Sequence, residues 1–251
     1  MTEWFTDESF WKDLYPFMFP ETRFAAAVEE TDKLLSLVKV DGTRVLDLCC
    51  GPGRHSVELA RRGFKVTGVD RSPFLLSIAQ ERAKAAGVQV EWVHDDMRNF
   101  VRPSAFDLAL NLFTAFGYFE NPAEDEKVLS NIHESLVHGG RGVIDVRGKE
   151  SLARGFMPTA SERSPDGNAT LIQRHEVVDD WTRIRNEWIL IKGEEVKSFR
   201  FLLNIYSGRE LRHILHQAGF HHVHLYGDLE GHAYGLDARR LIAVARKGHF
   251  D

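Results

Sequence analysis

The chain has 251 residues, 43% of them hydrophobic, which is enough for one sizeable core. Its 32 basic and 37 acidic side chains give a formal net charge of -5, not the basic footprint of a general nucleic-acid binder. Cys49 and Cys50 are adjacent and cannot build a disulfide framework; no apolar run reaches the roughly 18 residues of a membrane span; and the first residues carry Glu3, Asp7 and Glu8 where a secretory signal carries bases. A cytoplasmic protein without a membrane partner is expected.

The stretch from Trp4 to Phe19 holds Trp4, Phe5, Phe10, Trp11, Tyr15, Phe17 and Phe19 among Pro16, Pro20 and several acids. Its irregular spacing predicts a short helix plus an irregular arm. Over 23–38, Phe24, Ala27, Val28, Leu34, Leu35 and Val38 recur at three-to-four spacing, the signature of an amphipathic helix. Asp41-Gly42 then makes a turn. From there strands over 45–49, 64–69, 88–93, 106–112 and 142–146 alternate with helices over 54–62, 73–86 and 122–137. Gly63, Gly87 and Gly139-Gly140 stop these helices, and Ser72 followed by Pro73 starts the second. Alternation with short links predicts a parallel sheet covered on both faces.

The pattern then changes. Residues 150–168 are rich in Ser, Gly, Pro and charge and predict a loop. Residues 169–206 read as an antiparallel meander with a hairpin turn at Lys192-Gly193-Glu194. Ile184, Trp188 and Leu190 share one face of one strand. Phe199, Phe201, Leu203 and Ile205 share one face of the next, with Arg200, Asn204 and Tyr206 opposite. A helix over 207–218, ended by Gly219, and strands over 220–226 and 240–245 complete the chain. The resulting domain scheme is an aromatic arm and helix over 1–40, a core over 41–149 and 207–251, and an inserted antiparallel cap over 150–206.

The chemistry concentrates where the first strand meets its helix, in Val45-Leu46-Asp47-Leu48-Cys49-Cys50-Gly51-Pro52-Gly53-Arg54-His55. In an open parallel sheet, ligands bind beyond the carboxyl ends of the strands at such turns. Gly51 and Gly53 allow positive φ and close approach of backbone to a ligand. Asp70 follows 19 residues after Gly51, at the end of the next strand, where a carboxylate can accept both hydroxyls of a ribose. A dinucleotide site asks for a third glycine and a helix N-terminus aimed at pyrophosphate. Here Ser56 takes that place, and Asp47 stands four residues before Gly51. A carboxylate repels pyrophosphate and favours an ammonium or sulfonium centre. This disfavours an NAD-dependent oxidoreductase and favours a cationic nucleoside.

Asp47-Leu48-Cys49-Cys50-Gly51-Pro52-Gly53 resembles motif I of the class I S-adenosylmethionine-dependent methyltransferases. Val66-Thr67-Gly68-Val69-Asp70-Arg71-Ser72 resembles their ribose-binding motif, and His94-Asp95-Asp96-Met97-Arg98 their adenine motif. Phe106-Asp107-Leu108-Ala109-Leu110-Asn111-Leu112-Phe113 is similar to their fourth strand and substrate-side loop. The likeness spans about 45–250. It implies a Rossmann-like, seven-stranded, mostly parallel sheet flanked by helices, with a reversed late strand and a small antiparallel sheet inserted after the fifth strand. It also implies S-adenosyl-L-methionine as cofactor, with S-adenosyl-L-homocysteine as product. The backbone of Gly51–Gly53 and the neighbouring Cys49 would lie against the methionine portion, and Asp70 with Arg71 would hold the ribose. Asp96, or its neighbour Asp95, would meet the adenine amine while Met97 packs on the ring. Asn111 and Leu112 would close the pocket, and Tyr15 would cover the cofactor carboxylate.

Other readings of single residues compete with these. Both cysteines suit a buried apolar role, and Asp47 alone could be a turn-stabilising acid. The late histidines, His213, His216, His221, His222, His224 and His232, have no cysteine or carboxylate at a recognised ligand spacing, so no metal is expected. The sulfonium already activates the methyl group, so no general base is required; Tyr15, Tyr206 and His232 are the candidates by sequence position. The predicted reaction is methyl transfer to an N, O or C nucleophile of a small-molecule acceptor, with the arm and the cap setting acceptor choice. An RNA or protein methyltransferase and a non-catalytic S-adenosylmethionine-binding module are the alternatives. The sequence leaves the oligomeric state open.

Overall fold

The computed structural model describes residues 3–248. The arm is more regular than its spacing suggests. Past a single helical turn at Trp4–Thr6, α1 runs over Glu8–Met18, started by Asp7, whose carboxylate accepts from the Ser9 N–H at 2.9 Å. Phe10, Trp11, Leu14 and Phe17 form its buried stripe. Pro16 sits in the last turn, where its missing N–H costs one hydrogen bond and does not stop the helix. The expected irregular arm is therefore replaced by a helix whose aromatics belong to several directions at once. α2 (Glu21–Val38) follows directly, with Phe24, Ala27, Leu34 and Val38 buried.

The core then alternates β1 (Arg44–Leu48), α3 (Arg54–Arg61), β2 (Lys65–Asp70), α4 (Pro73–Ala86), β3 (Glu91–His94), β4 (Phe106–Asn111), α5 (Pro122–Ser135) and β5 (Leu136–Val146). Ser72 caps α4, accepting from the Leu75 N–H, with Pro73 in the first turn. α5 gives way to β5 at Leu136, so Gly139 and Gly140 lie inside a long strand and do not end a helix as expected. The supposed loop over 150–168 holds α6 (Lys149–Arg154) and β6 (Thr159–Arg163). Its polar residues sit on an exposed edge strand, which needs few apolar side chains. β7 (Thr170–Val178), β8 (Arg183–Lys192) and β9 (Glu195–Asn204) complete the meander, and α7 (Gly208–Gln217), β10 (Phe220–Tyr226) and β11 (Leu241–Lys247) close the chain.

Two sheets result. The larger has the order β10-β11-β5-β4-β1-β2-β3, and the smaller β6-β7-β8-β9. In the larger sheet β11 runs antiparallel to both β5 and β10, while the central strands are parallel. Alternate residues of the central strands enter two cores. Leu46, Leu48, Ala109 and Ile144 face one side with α5, and Val45, Val66, Leu108 and Leu110 face the other with Leu34 and Val38 of α2. The first core continues into the small sheet through the arm, where Trp4 stacks on Phe201 at 4.6 Å between ring centres and Phe10 meets Trp188 at 5.9 Å. The arm thus ties the cap to the carboxyl ends of the parallel strands. Among the described residues no helix is long and apolar enough to cross a membrane.

Candidate functional site

A cleft of roughly 1000 Å³ opens at the carboxyl ends of β1, β2 and β4, roofed by Phe5, Trp11 and Phe19 of the arm. The loop after β1 forms its floor. Cys49, Gly51 and Gly53 have φ of 61°, 56° and 75°, so the chain turns back on itself through three left-handed residues. The two glycines do different work. A Cβ on Gly51 would meet only the Phe19 ring, at 3.6 Å, whereas one on Gly53 would stand 2.7 Å from Trp92 and 2.9 Å from Ala79. Gly51 therefore keeps backbone open to the cleft. Gly53 lets α3 start hard against α4 and β3, and it does not line the cleft.

Three carboxylates ring this floor. Asp47 is 3% exposed and accepts from the Ser56 hydroxyl at 2.5 Å, so the serine that replaces a third glycine holds the acid in place. Burial raises the Asp47 pKa above its ordinary value. Asp70 ends β2 and accepts the Gly51 N–H on Oδ2 at 2.7 Å and the Ser72 N–H on Oδ1 at 2.9 Å. Burial outweighs these bonds and pushes its pKa up to about 6. Asp96 accepts from the backbone N–H and side chain of Arg98 and from Arg71, at 2.7–3.0 Å. Burial raises its pKa, but the hydrogen bonds and charge of Arg98, with Arg71 after them, hold it below the ordinary range. Asp95 lies beside it on the cleft wall and accepts the Asp96 N–H at 2.7 Å.

Met97 packs its sulfur 3.4 Å from that of Cys49. Leu112 ends the wall next to Phe113. Phe113 and Thr114 take φ of 57° and 67°, two consecutive left-handed residues without glycine, a strain of about 1–3 kcal/mol each. Asp145 holds them there. It accepts the Phe113 N–H on Oδ2 at 2.9 Å and, through its backbone carbonyl, the Thr114 N–H at 2.8 Å. Arg240 in turn donates to Asp145 at 2.6 Å and to the Thr114 hydroxyl at 3.1 Å.

The cleft thus gathers Asp47, Cys49, Gly51, Asp70, Arg71, Asp96, Met97 and Leu112. Asn111 lies behind the wall, fully buried, donating to the Leu48 carbonyl at 3.3 Å while its Oδ1 has no partner. Tyr15 is not on the cleft; its ring packs between Phe19 and Phe74. Tyr15 shares a helix face with Trp11 and Met18, but its ring is turned onto Phe19 and Phe74, and Trp11, Met18 and Phe19 line the cleft in its place. The three candidate bases are all elsewhere. Tyr206 donates its hydroxyl to Asp125 at 2.6 Å, and His232, its side chain 77% exposed, is bound to Asp228. The structure does bring carboxylates to His232, for Asp228, Glu230 and His232 place ligand atoms within 4.8 Å of one another. That group is at the surface, and Lys33 already bridges Glu230 at 2.5 Å.

Sequence reasoning missed Arg23, Arg54 and His55, which line the cleft mouth. Arg54 lies 3.7 Å from the Phe113 ring centre, and His55 stacks on the same ring. Both reach Glu30 of α2, at 3.3 Å and 3.0 Å. Burial lowers the Arg54 pKa to about 10. Their one sequence signal was position, immediately after the glycine loop and at the start of α2.

Residues 45–140 match a family described as a methyltransferase domain. A putative methyltransferase of Geobacillus sp. is 35% identical over 45% of this chain, a match that spans only 46% of that protein. A glycine/sarcosine N-methyltransferase of Aphanothece halophytica is 27% identical over 89% of this chain and 83% of its own length. Among solved structures, the CcbJ methyltransferase of Streptomyces caelestis superposes with a TM-score of 0.74 at 19% identity, covering 88% of this chain and 95% of that one.

Proposed function

The chain belongs to the class I S-adenosylmethionine-dependent methyltransferases, and on that premise we propose that it methylates an amine nitrogen of a small molecule. The observation that carries the size of the acceptor is the roof. Phe5, Trp11 and Phe19 cover the floor loop and narrow the cleft above it, which suits a small acceptor better than a macromolecule. Nitrogen is favoured because the glycine/sarcosine relative that matches most of this chain is an N-methyltransferase. A neutral amine also attacks without an activating base, and the tyrosines and histidine expected as bases are away from the cleft.

The residues present fit the cofactor. The open Gly51 backbone and the buried Asp47 suit a methionine ammonium and sulfonium, and Arg23 supplies the cation that its carboxylate needs. Asp70 would take the ribose hydroxyls. Asp95 and Asp96, with Met97 beneath them, would take adenine, and Leu112 would close the side nearest the acceptor. The bound sulfonium provides the methyl group already activated. What the protein adds is alignment and exclusion of water, through the roof and the strained, braced Phe113–Thr114 turn. The free thiols of half-buried Cys49 and buried Cys50 are in keeping with a reducing cytoplasm.

The test is incubation with S-adenosylmethionine and a panel of primary amines, alcohols and carbon acids, read by release of S-adenosylhomocysteine and by product mass. Transfer to an amine is expected. Transfer confined to alcohols or carbon acids would overturn the nitrogen assignment. Calorimetric binding of a nicotinamide dinucleotide without binding of S-adenosylhomocysteine would overturn the cofactor roles.

A further inference from the structure

A second cavity, of roughly 850 Å³, lies beneath the four-stranded sheet, between β7, β8, β9 and the end of β5. It is adjacent to the cofactor cleft through one peptide bond, since Thr114 lines this cavity and Ala115 lines the cleft. Most of its wall is apolar, with Leu152, Phe156, Ile184, Leu203 and Ile205. Its polar groups are few, and one of them lacks a counterpart.

Arg147, two residues past Asp145, lines the cavity while itself exposed to solvent, and its side chain makes no hydrogen bond or ion pair with any described residue. The acids nearest in sequence are taken: Asp145 by Arg240, Glu150 by the Gly208 N–H and the Tyr234 hydroxyl. Desolvation of the part of the side chain that lies against the cavity wall, and then the charge of Arg240, lower the Arg147 pKa. Across the cavity, His175 bonds through Nδ1 to Oδ1 of Asn186 at 2.8 Å. Asn186 is 3% exposed and donates its Nδ2 to the Ile184 carbonyl at 3.2 Å. That bond fixes the amide, so Oδ1 is the acceptor and the imidazole must donate from Nδ1. Nε2 is then left as the ring nitrogen free to meet a ligand.

We propose that this cavity binds the carboxylate end of the methyl acceptor, with Arg147 as its counter-cation. A guanidinium matches a carboxylate with two parallel hydrogen bonds. A phosphate, with nearly twice the charge, would ask for a second cation that the described lining does not contain. The apolar wall suits the hydrocarbon body of such an acid, whose amine would then lie toward the Thr114–Ala115 peptide and the cleft. The cap strands β7, β8 and β9, which wall this cavity, would then set acceptor choice together with Arg147 just past β5.

This inference rests on the methyl-transfer reading, and the experiment separates the two. Protein saturated with S-adenosylhomocysteine is titrated by calorimetry with 3-phenylpropionate and with its uncharged amide. The acid should bind at least tenfold more tightly than the amide. Arg147→Ala should abolish that preference, and Arg147→Lys should retain part of it. S-adenosylhomocysteine affinity, measured first in each variant, should stay within twofold and certifies the fold. Equal binding of acid and amide, no binding of the acid by the unaltered protein, or an unchanged preference in Arg147→Ala overturns the carboxylate site alone. Failure of the unaltered protein to bind S-adenosylhomocysteine overturns the methyl-transfer reading itself.

Discussion

The cleft at the ends of the parallel strands and the cavity under the small sheet share the Thr114–Ala115 peptide, yet their polar groups are arranged in opposite ways. In the cleft, every acid is already bonded to protein: Asp47 to Ser56, Asp70 to the Gly51 and Ser72 N–H groups, Asp96 to Arg71 and Arg98. These groups are held before any ligand arrives, which lowers the ordering cost of binding. In the cavity, Arg147 has no partner among the described residues and is exposed to solvent. A preorganised site suits a ligand that is the same in every turnover, and an incompletely satisfied one suits recognition of a particular partner by the charge it brings.

The strongest way to break this contrast is to damage the frame of the cleft. Gly53→Ala should destabilise the fold by about 3 kcal/mol, combining a left-handed φ with a contact closer than van der Waals distance against Trp92. Gly51→Ala, whose Cβ would make only an ordinary contact with the Phe19 ring, should cost only about 1 kcal/mol while weakening S-adenosylhomocysteine binding. Urea denaturation of both variants reads the difference. Equal losses would mean that the two glycines do the same work.

Next in size is Asp70→Ala. Losing a charged acceptor should lower S-adenosylhomocysteine affinity by roughly a hundredfold, while Arg147→Ala leaves it untouched. Calorimetry on the two variants decides this, and a loss of under threefold for Asp70→Ala would remove that acid from the cofactor's partners.

These contrasts also show what the sequence could carry. The glycine stops and the Ser72-Pro73 start were local signals, and they marked the parallel core well. Asp47, Gly51 and Asp70 meet in the cleft because a strand end and the turn after it are adjacent in the chain. The phase of α1 was not legible, for seven aromatics over sixteen residues serve the core, the cap and the roof together, and only packing shows that Phe19 and not Tyr15 reaches Gly51. Nor was the purpose of Gly53, which depends on Trp92, a residue distant in sequence. Arg147, just past β5, and His175 and Asn186, on β7 and β8, come from separate parts of the chain, and no spacing in one dimension brings them together. The short β6 escaped because an exposed edge strand carries no apolar alternation.

A finer probe of the cleft is pH. Asp70 has its pKa pushed up to about 6 by burial, and a carboxylate accepts hydroxyl protons better than a neutral carboxylic acid does. S-adenosylhomocysteine affinity should therefore be constant above pH 7 and fall as pH drops through about 6, approaching tenfold per pH unit below it. A flat profile between pH 5 and pH 7 would show that Asp70 does not titrate in the free protein or does not contact the ligand.

The smallest effect concerns the frame of the cavity. Asp125 of α5 is fully buried, and its Oδ2 accepts from Asn204 at 2.7 Å and from the Tyr206 hydroxyl at 2.6 Å, while Oδ1 has no hydrogen-bonding side chain. This tie fixes the point where β9 leaves the small sheet for α7. Burial pushes the Asp125 pKa up to about 6 despite those bonds. An acid whose folded pKa is raised holds its proton more tightly in the native state, so folding stability falls as pH rises from about 4 to about 6 and is flat above. Between pH 5 and pH 7 the loss is about 1 kcal/mol for this group, and Asp70, displaced to the same value, adds about as much. Asp125→Asn keeps an acceptor for Tyr206 and Asn204 but cannot ionise. It should therefore halve the fall in urea-denaturation stability over that interval, and the Asp70 share should disappear when S-adenosylhomocysteine occupies the cleft and holds that acid ionised. A slope unchanged by Asp125→Asn would mean that the buried tie carries no charge at neutral pH. The junction beside the cavity would then be held by a neutral acid donating from Oδ1, and the two sites would differ in the charge state of their frames as well as in their unpaired groups.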